Sequence, residues 1–247
     1  MFVRTYGVTF LTGYQSKVHR HEWDQLTYAS RGVVTVNTER GIWVVPPHRA
    51  VWVPAGVEHS EEMSGHVAAR SLFFVPGLSD SLPADCSTVN VTPLLRELIL
   101  HATHLGVLDS QVPEQARLID VILDQLESVQ TVPMQLPAPR DERAVRIAKL
   151  LKENPSLTET LAEIARQAGA SRRTIERLFR AETGMPFGQW RQRLRLIHAL
   201  RLLANGESVT NVALEAGYES TSSFIAMFKK TVGTTPSKYF ANAAVTD

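Results

Sequence analysis

Residues 161–187 read LAEIARQAGASRRTIERLFRAETGMPF, and residues 209–236 read VTNVALEAGYESTSSFIAMFKKTVGTTP. The two stretches are copies of one unit. Leu161, Ile164, Ala165 and Gly169 align at an offset of 48 with Val209, Val212, Ala213 and Gly217. After one extra residue in the second turn, Ser171, Ile175, Phe179, Arg180 and Gly184 align at 49 with Ser220, Phe224, Phe228, Lys229 and Gly233, and Pro186 meets Pro236 at 50. Apolar positions recur three and four apart, the period of a helix, so each copy is expected to hold two helices. Ala165 and Ala213 are small enough for a close crossing, and Gly169 and Gly217 supply a positive-φ turn. Ser171 and Ser220 cap the second helix of each copy, and Ser208 caps the first helix of the later one. A helix from about Phe187 to Leu203 is expected to join the copies.

With Ile175, Leu178 and Phe179 turned inward, Arg172, Arg173, Thr174, Glu176, Arg177 and Arg180 are left outside, where a DNA major groove can receive them. Their counterparts in the second copy are Thr221, Ser222, Ser223, Ile225, Ala226 and Lys229. A basic outer face by itself is usually only solvated. Here the charge division supports more: residues 1–139 hold 9 Lys and Arg against 14 Asp and Glu, a balance of −5, whereas residues 140–247 hold 17 against 11, a balance of +6. Only the second part suits a polyanion.

The pattern A-x3-G-x-S-x3-I-x2-L-F, then E-T-G-M-P-F, then V-x2-V-A-x3-G-Y-E-S-x3-F-x3-F-K-K-x2-G-T-T-P-S-K-Y resembles the DNA-binding domain of AraC/XylS-type bacterial transcription regulators, over about residues 143–240. The resemblance implies seven helices, with a long connecting helix holding two recognition helices against successive major grooves of double-stranded promoter DNA. It also implies an RNA polymerase contact if the regulator is an activator.

Pro133, Pro137 and Pro139 stop helix propagation and mark residues 131–140 as an extended linker. Before it, residues 1–130 begin with short β-branched and aromatic runs broken by Gly and Pro: 25–29, 32–37, 41–45, 50–53, 67–75 and 89–91. That rhythm predicts a small β-barrel. A helix is expected from Thr92-Pro93 to Gly106, and another from Pro113. The second carries a stripe of Leu118, Ile119, Ile122, Leu123 and Leu126, which either forms the interface of a homodimer or packs on its own barrel.

His19 and His21 are two apart, so on a strand they share a face, and Gln25 keeps their parity. The spacings G-x5-H-x-H-x3-Q-x6-G, from Gly13 to Gly32, and P-x-G-x2-H, from Pro54 to His59, resemble the two cupin motifs. In that family the matching positions hold a divalent metal on a small β-barrel. Two departures stand out: Gln25 replaces the usual Glu, and His48 replaces the Gly that opens the second motif. The resemblance covers only about residues 13–63. His19, His21, Gln25 and His59 can coordinate Zn, Ni, Fe or Mn without adding negative charge, which favours an anionic or chelating small-molecule effector. The alternative is a set of hydrogen-bonded barrel histidines with no metal. His101 and His104, at i and i+3, are expected to be merely solvated or packed.

The fold expected is therefore a cupin-like β-barrel with two helices (1–130), a linker, and an all-α domain with two helix-turn-helix units (141–247). The function expected is effector-controlled DNA binding. A metal-dependent cupin enzyme, an oxygenase or isomerase with an appended helical domain, is the competing reading. It leaves the repeat unexplained and finds no acid–base pair beside the histidines. A metal-free carbohydrate-binding barrel coupled to DNA binding stays open. No run of 18 apolar residues and no signal-like start occur, so a cytoplasmic protein is expected. The lone Cys86 is expected to be a packing residue.

Overall fold

The computed structural model describes residues 1–128 and 134–241. They fall into two compact units, Met1–Glu39 with Trp43–Gln135, and Arg40–Ile42 with Leu136–Ala241. The chain order begins β1 (Phe2–Phe10), β2 (Asp24–Thr38), β3 (Gly41–Val45), β4 (Arg49–Val53), β5 (His59–Phe74) and β6 (Ser87–Asn90). It continues with α1 (Pro93–Leu105), β7 (Val107–Asp109), α2 (Pro113–Ser128) and β8 (Gln135–Pro137). The strands form one sheet in the order β6-β4-β2-β5-β1-β7, with β3 on β2 and β8 on β3. Pairing along that path is antiparallel.

Strand alternation gives the sheet two apolar faces. Leu26, Tyr28, Trp52, Leu72 and Phe74 face α1 and α2 and bury Leu95, Ile99, Ala102, Ile119, Ile122 and Leu126. The other face carries Ala29, Val34, Val36, Val51, Val53, Met63, Val67 and Ala69, with Cys86 packed against them. The turn from one half of β2 to the other is a bulge, with register shifts at Ala29, Arg31 and Val33. Gly32 permits it: φ is +75°, and a Cβ there would lie 2.7 Å from the His66 carbonyl oxygen.

Several boundaries differ from the expectation. The runs 25–29 and 32–37 are one bulged strand, and the run at 67–75 extends back to His59 through polar residues whose apolar neighbours lie on one face only. β1 was not expected at all, because it buries only Val3 and Thr5 while exposing Phe2, Tyr6 and Val8, so its apolar residues do not mark a single face. β7 and β8 are three residues each and exist through pairing with β1 and β3. The stripe on α2 packs on its own barrel: Ile119 and Ile122 are 1% exposed, and Leu118 and Leu123 pack against the same core. Packing on its own unit therefore accounts for the buried members of the stripe, while Leu118 and Leu123 stay half-buried. Residues 131–133 of the expected linker lie outside the described residues, and 135–137 form β8.

In the second unit the described helices are α3 (Glu142–Glu153), α4 (Leu161–Gln167), α5 (Arg172–Thr183), α6 (Phe187–Ala204), α7 (Val209–Glu215), α8 (Thr221–Val232) and α9 (Pro236–Ala241). Seven helices agree with the resemblance. α4 opens with a capping box, Thr160 Oγ1 accepting from the Glu163 amide while the Glu163 carboxylate accepts from the Thr160 amide at 2.7 Å. Ser171, Ser208 and Ser220 cap α5, α7 and α8 through their side chains. Gly169 and Gly217 take φ of +70° and +75° in the two turns. The core is aromatic: Phe179 meets Phe187 and Trp190 edge-on, and Phe228 does the same with Tyr239.

Candidate functional site

His19 and His21 do not lie on a regular strand. They belong to an irregular segment before β2 that runs beside the start of β5, held by bridges of Gln15 to Glu62 and His19 to His59. The His19 and His59 amides donate to each other's carbonyls at 2.9 and 2.8 Å. This pairing, rather than strand parity, brings the histidines together. One ligand atom from each of His19, His21 and His59 lies within 4.8 Å of the others.

The three rings are oriented alike. Nδ1 of His19 lies 2.9 Å from the Lys17 carbonyl, Nδ1 of His21 2.6 Å from that of Trp23, and Nδ1 of His59 2.9 Å from that of Val57. A carbonyl only accepts, so each Nδ1 is placed to donate, and Nε2 is the ring atom each histidine turns away from its backbone partner. Nε2 of His59 is buried and has no hydrogen-bond partner. Burial, partly opposed by the Val57 bond and reinforced by His19 and His21, lowers the His59 pKa to about 4, so its ring is neutral at pH 7. Nε2 of His21 faces Oε1 of Gln25 at 2.7 Å. An amide oxygen only accepts, so a protonated Nε2 would donate to it, and the same two atoms point at one place.

Gln25 is buried, and its amide is fixed from behind, Nε2 donating to Thr27 Oγ1 at 2.7 Å and to Glu61 Oε1 at 3.3 Å. Glu61 was missed in the sequence. Its signal was there, because it stands two residues beyond His59 on β5 and so shares that face. Burial raises its pKa, while His19, Thr27, Gln25 and His21 pull it down. Asp24 is occupied elsewhere, accepting from the Ala55 amide at 2.8 Å and from Ser79 Oγ at 2.6 Å. Above the polar cluster opens a cleft of about 290 Å³ walled by Tyr6, Val8, Phe10 and Phe73.

On the helical unit, Arg172, Arg173, Glu176, Arg177 and Arg180 are exposed while Ile175, Leu178 and Phe179 are buried. The cations line an open cleft of about 800 Å³ with Ser171 and Thr174. Arg172 Nε donates to Glu176 Oε1 at 2.9 Å, one turn along the helix, so Arg172 is exposed but ion-paired, and Arg173, Arg177 and Arg180 are the exposed cations outside that pair. Thr174 Oγ1 lies 2.9 Å from Ser171 Oγ and belongs partly to the cap. On α8 Ser222, Ser223, Ala226 and Lys229 are exposed and Thr221 and Ile225 half-buried. Ser223 spends its hydroxyl proton on the Ser220 carbonyl at 2.8 Å, so it can only accept from a further partner.

Residues 164–242 match the family described as a helix-turn-helix domain, and residues 11–139 match the AraC-like ligand binding domain. The chain is 38% identical over 226 residues to the HTH-type transcriptional regulator NimR of Escherichia coli, covering 92% of this chain and 82% of that one. It is 41% identical over 104 residues to the regulator RipA of Corynebacterium glutamicum, covering 42% of this chain and 31% of that one. Among solved structures, the DNA-binding domain of AdpA in complex with a target DNA is 29% identical, with a TM-score of 0.39, covering 41% of this chain and 93% of that one. NimR and RipA are both named as transcriptional regulators, and neither supports the cupin-enzyme reading. With a ligand-binding domain matched ahead of a helix-turn-helix domain, and a regulator matched along nearly the whole length, the chain belongs to the AraC family of helix-turn-helix transcription regulators and is not an enzyme.

Proposed function

We propose that α5 and α8 enter successive major grooves of promoter DNA and that occupation of the barrel's histidine cluster controls this binding. The observation that carries the first half is the tandem arrangement: two serine-capped helices, each after a glycine turn, each exposing its polar face. α5 brings arginines able to fork onto guanine or phosphate. α8 brings short hydroxyls, methyls and Lys229. Binding by the full chain should weaken steeply with salt, with a log-log slope of about −0.9 per phosphate contact. A salt-independent interaction, or none with any genomic fragment in a binding selection, would falsify it.

The donor set supports a divalent metal at the barrel site. The Nε2 atoms of His19, His21 and His59 and Oε1 of Gln25 are the atoms that would hold it, and the unpartnered His59 Nε2 is what such an ion would satisfy. A bound Zn, Ni, Fe or Mn ion would supply positive charge and open positions for an anionic or chelating effector. The aromatic walls of the cleft would take that effector's apolar part. Elemental analysis of the purified chain tests this, and a His19→Ala/His21→Ala double variant with unchanged metal content removes the site.

A cytoplasmic homodimer that contacts RNA polymerase when it activates completes the reading. No helix among the described residues is long and apolar enough to cross a membrane. Ile119, Ile122 and Leu126 of α2 are buried within their own unit, which favours another surface for self-association.

A further inference from the structure

The two helix-turn-helix units differ in one place where the repeat makes them look alike. Around Gly169, the turn glycine of the first, an added Cβ would meet nothing within 4 Å. Around Gly217, its counterpart, an added Cβ would lie 2.7 Å from Nη2 and 3.0 Å from Cζ of Arg195, and 3.0 Å from Cα of Ser156. The turn of the second unit is thus pressed against the loop that leads into the first, with one guanidinium filling the seam.

Arg195 projects from α6, whose Leu194, Leu196, Ile197, Ala199 and Leu200 are buried and anchor it. Its Nε donates to the Pro155 carbonyl at 3.2 Å and its Nη2 to the Leu157 carbonyl at 3.1 Å. Its far side lies over the Tyr218 ring, with Cζ 6.0 Å from the centroid. One turn earlier Arg191 donates to the Glu159 carbonyl at 3.0 Å and also to that of Leu157. Two forked cations four residues apart on one helix therefore grip the loop at 155–159, directly before the cap of α4. A planar guanidinium reaches the two carbonyls from two separate nitrogens while laying its face toward a ring, a fixed fork that the single nitrogen of an ammonium does not offer.

We infer that Arg195 is a positioning residue that fixes the separation of α5 and α8, and so the spacing of the two DNA boxes that the regulator accepts. This rests on the reading that both helices face DNA. Successive major grooves recur at about 34 Å, or 10–10.5 bp. A one-base-pair change both translates and rotates the second box, so a rigid pair of helices rejects it. A pair that can slide on the α6 seam accepts it.

The test is selection by the full-length chain from duplexes with a randomised core, followed by sequencing. The unaltered chain should enrich two boxes at one spacing, with sites one base pair off depleted by about tenfold. Arg195→Ala and Arg195→Lys should enrich the same boxes over a spread of spacings, with that depletion reduced to about threefold or less. Lysine keeps the charge, so a role confined to phosphate contact would survive in Arg195→Lys with the single spacing intact, and that result overturns the proposal. Uniformly weaker binding at one sharp spacing in both variants also overturns it. If Arg195→Ala fails to fold by circular dichroism, Arg195→Lys decides alone. A single box for the unaltered chain would instead overturn the two-helix reading, and the spacing role with it.

Discussion

Glu61 Oε1 lies 3.3 Å from Gln25 Nε2, while the other end of the same amide, Gln25 Oε1, lies 2.7 Å from His21 Nε2. The carboxylate holds the amide so that its oxygen, not its nitrogen, faces the histidines. A carboxylate thus stands directly behind Gln25, the residue found where the motif that this stretch resembles has Glu.

Glu61→Gln should release that orientation, since a glutamine at 61 can accept from Gln25 or donate to it. Zinc affinity, measured by competition with a chromophoric chelator, should fall about 10- to 100-fold, the range seen when a partner behind a metal ligand is removed. Unchanged affinity would leave Glu61 as a bystander. Gln25→Glu should tighten zinc and weaken an anionic effector, because the added charge partly neutralises the ion.

The stripe on α2 makes a prediction about stability rather than assembly. Ile122 is 1% exposed within the core beneath α1 and α2, so Ile122→Ala should destabilise the barrel unit by about 2–5 kcal/mol. Thermal unfolding measures that loss, and sedimentation should give the same assembly state as the unaltered chain. An altered assembly state with undiminished stability would return the stripe to an interface role.

That example shows where local pattern stops being informative. The spacing of Leu118, Ile119, Ile122, Leu123 and Leu126 announces an apolar face but says nothing about what covers it. The turn glycines, serine caps and inward residues of both helical units were legible because each is a short-range requirement of backbone geometry. The histidine cluster was legible by spacing, although a bridge from His19 to His59 brings it together and not a common strand. β1 was hidden because Tyr6 and Val8, apolar residues of the kind that mark a core, stay exposed. The contact of Arg195 with Gly217 joins residues 22 apart and belongs to tertiary packing, so no periodicity announces it.

The entrance to the helical unit should fail in acid. Asp141 caps α3, and hydrogen bonds from the Arg143 side chain and backbone hold its pKa at about 2, below the ordinary 3.8. A depressed folded value means that the stabilisation is complete above the ordinary value and is lost as pH falls through about 2. Asp141→Asn keeps a capping oxygen and cannot titrate, so its stability should fall less than that of the unaltered chain between pH 4 and pH 2. Parallel curves for the two chains, followed by helical circular dichroism, would assign the acid loss to other carboxylates.

The two recognition helices should contribute unequally to DNA binding. Arg173 corresponds to Ser222, Glu176 to Ile225 and Arg177 to Ala226, so α5 can fork onto guanine O6 and N7 whereas α8 presents hydroxyls and methyls. Arg173→Ala or Arg177→Ala should cost about 1–3 kcal/mol and relax base preference in one half of the site. Ser222→Ala should cost much less. Arg172 is held by Glu176 at 2.9 Å, so Arg172→Ala should cost less than either of the other arginine substitutions, and Glu176→Ala should free Arg172 for a phosphate and raise the salt slope by about one contact. Binding of each variant to a panel of single-base operator changes separates these outcomes. If both arginine variants lose affinity equally for every sequence, α5 touches only phosphates and the preference arises from the shape of the DNA.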